Sequence, residues 1–126
     1  MPDPAAVTGP VSSAIDRAAD QLSRARMRAF GRPMKIGPDA ATAVTVTGTV
    51  SAVTREDQQL IRGGLVEPIQ AMARYRRADG PAPRSGWFVH WGGQWYRIAQ
   101  VWDHQIDPEW KLGLVELTRG APTLGA

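Results

Sequence analysis

A glycine pair between two strand-like segments constrains this chain more than any other feature. Gly92 and Gly93 separate residues 86–91 from residues 94–102, and both segments are rich in aromatic and β-branched residues. A two-residue glycine turn between such segments predicts a tight β-hairpin. Its register pairs one set of residues across the strands, namely Trp91 with Gln94, Val89 with Tyr96 and Trp87 with Ile98. These pairs share one face, which we predict to be the core face.

The opposite face of this hairpin carries large side chains that the core does not need. They are Phe88, His90, Trp95 and Arg97. Aromatic residues are enriched at protein interfaces, because they combine a large apolar area with few rotatable bonds. Phe88 and Trp95 are therefore predicted to contact a partner or a second copy of the chain.

The rest of the chain favours further short strands. Residues 44–52 alternate valine or alanine with threonine or serine, and Gly48 within them suggests a bulge or a bend. Strands are also predicted near residues 34–36, 65–77 and 110–119, and 13 glycines with 10 prolines supply the turns. The predicted fold is mainly β, a small antiparallel β-barrel or sandwich of the SH3-like or a related type, with one N-terminal α-helix.

The domain organisation follows from the flanking composition. Residues 1–12 are predicted to be a flexible N-terminus, residues 13–119 a single β-barrel domain, and residues 120–126 a C-terminal tail. The helix is predicted over residues 13–30, because Gly31 and Pro33 would end it. A polar stretch at residues 54–64 is predicted to be a long loop.

The helix has two different sides. Its apolar stripe is mostly alanine, so it could pack closely but would bury little area; it consists of Ile15, Ala18, Ala19, Leu22, Ala25, Ala29 and Phe30. Arg17, Arg24 and Arg28 form a stripe on the opposite side. A solvated basic face accounts for that stripe, and contact with an acidic partner or DNA is the alternative.

Composition excludes several classes of site. The chain has no cysteine, which rules out disulfides and cysteine ligands, and its two histidines do not stand in a metal-binding spacing. No catalytic, cofactor or metal site is predicted, although Asp103 and Asp107 leave a carboxylate site in the 103–109 loop as a weaker alternative.

No segment is apolar enough to span a membrane. The net charge of +3 is too small to indicate nucleic-acid binding, although all but two of the 15 cationic residues are arginines.

One segment resembles a known family. The run Gly86-Trp87-Phe88-Val89, the run Gly93 to Val101, and the Leu-rich run Leu112 to Leu117 after a polar loop resemble the C-terminal β-meander of bacteriophage head–tail joining proteins. In layout the chain is similar to the head-completion, or neck-connector, proteins of lambda-like phages.

That resemblance implies a non-enzymatic virion protein without a cofactor. It implies a ring of identical subunits in the virion neck, assembled in the host cytoplasm, that acts as a connector or stopper between the portal or adaptor and the tail. The implied oligomer or partner contacts are Phe88, Trp95, Leu60 and Ile61, and the implied contacts to DNA or an acidic partner are Arg55, Arg62, Arg74, Arg76 and Arg77. A tail-terminator protein and a small nucleic-acid-binding β-barrel remain as alternatives.

Overall fold

A computed structural model describes residues 4–60, 69–103 and 107–118 of the chain. Two helices and six strands account for most of them. They are α1 (Pro4–Phe30), β1 (Arg32–Gly37), β2 (Val44–Ser51), α2 (Arg55–Leu60), β3 (Ala71–Arg76), β4 (Phe88–Trp91), β5 (Gln94–Trp102) and β6 (Glu109–Glu116), with a 3₁₀ turn at Arg77–Asp79.

The six strands form one closed antiparallel barrel. Its strand order is β1-β2-β3-β6-β5-β4, and β4 pairs with β1 to close the cylinder. The prediction of a mainly β barrel with one N-terminal helix is confirmed. The helix includes the predicted residues 13–30 and continues back to Pro4, through part of the segment predicted to be flexible.

The hairpin has the predicted register. Trp91 pairs with Gln94 and Val89 with Tyr96, and the Ile98 amide donates to the Trp87 carbonyl. The predicted core face is also confirmed, because Val89 and Ile98 are fully buried. They join a core that includes Met34, Ile36, Val46, Ala73, Tyr75, Leu112 and Leu114.

Gly48 has a different role from the predicted bulge or bend. It pairs in regular register with Arg32 of β1 and with Tyr75 of β3. A Cβ atom at this position would lie 2.8 Å from the Arg74 carbonyl oxygen and 2.8 Å from the Met34 Cε. The glycine is therefore required by the close approach of a neighbouring strand. The irregularity in the barrel lies in β5, between Ile98 and Gln100.

Part of the segment predicted as a long loop is helical. A reciprocal capping pair begins α2: the Thr54 amide donates to the Asp57 carboxylate, and the Asp57 amide donates to the Thr54 hydroxyl. The same carboxylate lies 2.9 Å from the Lys111 Nζ on β6, and both side chains are buried. Two charges in a buried position must be paired, so this ion pair ties α2 to the barrel wall.

The strand predicted over residues 65–77 is shorter in the structure, where β3 begins at Ala71. Residues 65–68 of that predicted strand lie outside the described residues. Each of the six described strands has two neighbours, so none of them offers a free edge.

We predict that Gly48→Ala lowers the free energy of unfolding by about 1–3 kcal/mol, because the added methyl group overpacks the contact between β2 and β3. Chemical denaturation measures the change. Thr47→Ala is the matched control, since Thr47 is exposed on the same strand. Equal unfolding midpoints for Gly48→Ala and the wild type would contradict this account of Gly48.

We predict that Asp57→Asn destabilises the protein by about 3 kcal/mol at pH 7, because it leaves Lys111 charged and buried without its partner. Hydrogen bonds from Lys111 and Thr54 outweigh burial and hold the pKa of Asp57 below its ordinary value of 3.8. The stabilisation is therefore complete above that value and is lost as the pH falls through the lowered folded pKa.

Denaturation curves of the wild type and Asp57→Asn should accordingly converge in strong acid. Glu56→Gln is the control, because Glu56 is exposed on the same turn of α2. An Asp57→Asn difference that stays constant down to pH 2 would show that the ion pair is not its source.

Candidate functional surfaces

The outer face of the β4–β5 hairpin presents two cross-strand pairs. Phe88 lies opposite Arg97, and His90 lies opposite Trp95. The rings of His90 and Trp95 have centroids 4.7 Å apart and are tilted by 46°. All four side chains are half-buried, so each keeps part of its surface in contact with solvent. We call these four residues the hairpin surface.

Helix α1 contacts the barrel through polar side chains. The Ser23 hydroxyl donates to the Glu109 carboxylate at 2.6 Å, and the Arg26 guanidinium pairs with the same carboxylate. Asp20 pairs with Arg76 on β3. Over residues 14–30, the part of α1 whose burial is described, Met27 is the one apolar residue that is buried.

The contacting side of α1 is therefore not the apolar stripe described from the sequence. Ile15 is 64% exposed and Leu22 is 72% exposed, and Phe30 near the helix end is 70% exposed. We call the exposed members of that stripe the helix stripe; they are Ile15, Ala18, Leu22, Ala25, Ala29 and Phe30. From residue 14 to residue 18 every side chain of α1 is exposed, so this part of the helix is not covered by the barrel.

Two of the arginines predicted to contact DNA or a partner pair with carboxylates of the chain itself. The Arg76 side chain is only 12% exposed and pairs with Asp20. Arg77 lies 2.8 Å from the Asp103 carboxylate, and its guanidinium lies 3.9 Å from the centre of the Trp110 ring. Both cations thus hold parts of the fold together.

The other predicted residues have more varied positions. Arg55 is exposed at the start of α2, and Arg74 is half-buried on β3, where it pairs in register with Lys111. Leu60 is the last residue of α2. Ile61 and Arg62 lie outside the described residues.

An open cleft of about 510 Å³ lies between α1 and the barrel. Its lining residues are Arg24, Met27, Arg28, Thr47 and Arg76. The sequence pattern placed Arg24 and Arg28 on one helix stripe. It gave no signal that Arg76 and Thr47 would join them, because those residues come from two other elements.

The carboxylates of the loop before β6 have structural roles. Asp103 pairs with Arg77, and the Asp107 carboxylate accepts from the Glu109 amide at 2.9 Å. Within the described ranges, no group of three or more His, Asp or Glu side chains could hold a metal ion. The helices of the described residues are not long and apolar enough to cross a membrane.

A comparison with family models gives one match. The model described as "Phage Head-Tail Attachment protein" matches residues 12–114, which include most of α1 and nearly the whole barrel. Neither a curated protein nor a solved structure gave a significant match. The matched family implies a structural role in the virion, with contacts to head and tail components. The match covers well over half of the 126 residues, so the chain belongs to the phage head-tail attachment protein family.

Proposed function

We propose that this chain is a non-catalytic neck protein that assembles into a ring between the portal or its adaptor and the tail, where it acts as a connector or stopper. The family match supports a role at the head–tail joint. The observation that supports the ring is the presence of two separate surfaces on one small closed barrel: the exposed helix stripe and the half-buried, partly aromatic hairpin surface.

A closed ring of identical subunits needs two different surfaces on each subunit, because every contact joins the front of one copy to the back of the next. The helix stripe is one such surface, since α1 lies over β2, β3 and β6. The hairpin surface is the other, on β4 and β5. In the strand order of the barrel, these two sets of strands lie in different halves.

A closed barrel also limits how copies can associate. With no free edge among the described strands, a neighbour cannot extend the sheet by main-chain hydrogen bonds. Side-chain contacts must therefore carry the association. The narrow, alanine-rich helix stripe buries little area by itself, so we expect the isolated chain to be a monomer or a weak oligomer that forms a ring on assembly.

The predicted contacts to DNA or an acidic partner remain part of the proposal for two arginines. Among the described residues, Arg55 and Arg74 have no carboxylate within ion-pair distance, and we propose that they contact DNA or an acidic neighbour. Phe88, Trp95 and Leu60 are proposed as contacts to sister copies or to neck partners, which assemble with the chain in the host cytoplasm.

We predict that Trp95→Ser and the double variant Ile15→Ser/Leu22→Ser fold as the wild type does but lose ring assembly. Loss of an interface hot spot costs about 2 kcal/mol, which is about 30-fold in each subunit contact. Sizing and negative-stain imaging with a portal preparation measure assembly. Val44→Ser is the control, because Val44 is 47% exposed and belongs to neither surface. If both variants assemble like this control, the two surfaces are not the ring interface.

A tail-terminator role is the second candidate, and the particles that accumulate without the protein distinguish the two roles. A stopper closes the filled head, so its loss should leave heads that release their DNA beside tails of normal length. A terminator caps the growing tail, so its loss should leave tails of abnormal length. Electron microscopy of a lysate that lacks the protein makes this measurement.

A further inference from the structure

We propose that the cleft between α1 and β2 binds phosphate groups of the DNA backbone. Arg24 and Arg28 come from successive turns of α1, Arg76 comes from β3 and Thr47 from β2. These three arginines and the threonine, together with Met27, line one open cleft of about 510 Å³. Guanidinium groups bind phosphate oxygens through paired, charge-assisted hydrogen bonds.

Two carboxylates hold arginine side chains of this cleft in place, but they do not neutralise its positive charge. Asp20 bridges two of the arginines: one oxygen lies 2.9 Å from the Arg24 Nε, and the other pairs with Arg76. Asp79 reaches Arg76 at 4.0 Å. Among the described residues, two carboxylates thus stand against the three arginines of the cleft.

Within the cleft, Arg28 is the arginine without a carboxylate partner. It is exposed, and among the described residues no carboxylate lies within ion-pair distance of it. It stands four residues after Arg24, and like charges at this spacing destabilise a helix. An anion bound between the two side chains would remove that repulsion.

Arg76 contributes a further unsatisfied group. Its Nε is buried and has no hydrogen-bond acceptor. Because this donor belongs to a charged group and lacks an acceptor, negative charge bound in the cleft is favourable to it. Thr47 is exposed and can turn its hydroxyl group toward a bound oxygen.

The arrangement of the arginines favours DNA over an acidic protein segment. Arg17, Arg24 and Arg28 follow one side of α1, and at 1.5 Å per residue they extend along about 16 Å of the helix. Arg32 is exposed at the start of β1, directly beyond the helix end. A straight row of cations leading into an open cleft matches a polymer with regularly spaced charges, and the DNA backbone is such a polymer.

This inference deepens the proposed function and rests on it, but its test needs no assembly. We predict that the full-length protein binds a mixed-sequence DNA duplex with an affinity that falls steeply with salt. Arg24→Gln/Arg28→Gln should weaken binding about tenfold and reduce the slope of log affinity against log salt by about two. Fluorescence anisotropy at several salt concentrations measures both quantities.

Arg84→Gln is the matched control, because Arg84 is exposed, carries the same charge and lies outside the cleft. It should change the affinity less than twofold. The single variant Arg28→Gln, which breaks no recorded ion pair, guards against misfolding of the double variant and should itself weaken binding. No DNA binding by the wild type, or equal losses in Arg28→Gln and Arg84→Gln, would overturn the proposal.

Two further probes separate the possible ligands. Inorganic phosphate should shift the amide resonances of Arg28 and Thr47 in the wild type, and Arg28→Gln should abolish the shift of the Thr47 resonance. Poly-glutamate tests the acidic-protein alternative: if it binds through Arg24 and Arg28 and the duplex does not, the cleft belongs to a protein partner and the DNA assignment is wrong. Ring assembly by Arg28→Gln is measured separately. If the ring forms normally, the proposed neck function is supported even where the DNA-binding proposal fails.

Discussion

Two buried charged residues on the outer face of β6 each pair with a different helix, and these two pairings hold the helices against the barrel. Glu109 and Lys111 stand two residues apart, so their side chains leave the strand on the same side. Glu109 binds Ser23 and Arg26 of α1, whereas Lys111 binds Asp57 of α2. Neither charge could be buried without its partner. One strand of the barrel thereby fixes the positions of both helices.

The sequence predicted the barrel well where the signals were local. The Gly92-Gly93 turn between two strand-like segments was sufficient for the register of β4 and β5, because a tight turn leaves few ways to pair its strands. The capping pair of Thr54 and Asp57 is equally local, but we predicted a loop there because the surrounding residues are polar.

The functional surfaces were harder to predict, because they depend on contacts between distant residues. Arg76 and Asp20 are 56 positions apart, and Arg26 and Glu109 are 83 positions apart. From composition alone, an arginine that pairs inside the fold cannot be told from one that faces a ligand. The helix posed the same difficulty, since an amphipathic pattern favours docking through the apolar side, whereas α1 docks through Asp20, Ser23 and Arg26.

Barrel closure has a consequence for how copies of this protein can aggregate. Unpaired strand edges are the usual starting point of cross-β fibres, and the six described strands expose none. At high concentration, copies of the barrel therefore lack the free backbone groups on which such a fibre grows. Apolar side chains on the outside of the barrel can contact another protein without a neighbouring sheet edge that would extend the contact into a fibre.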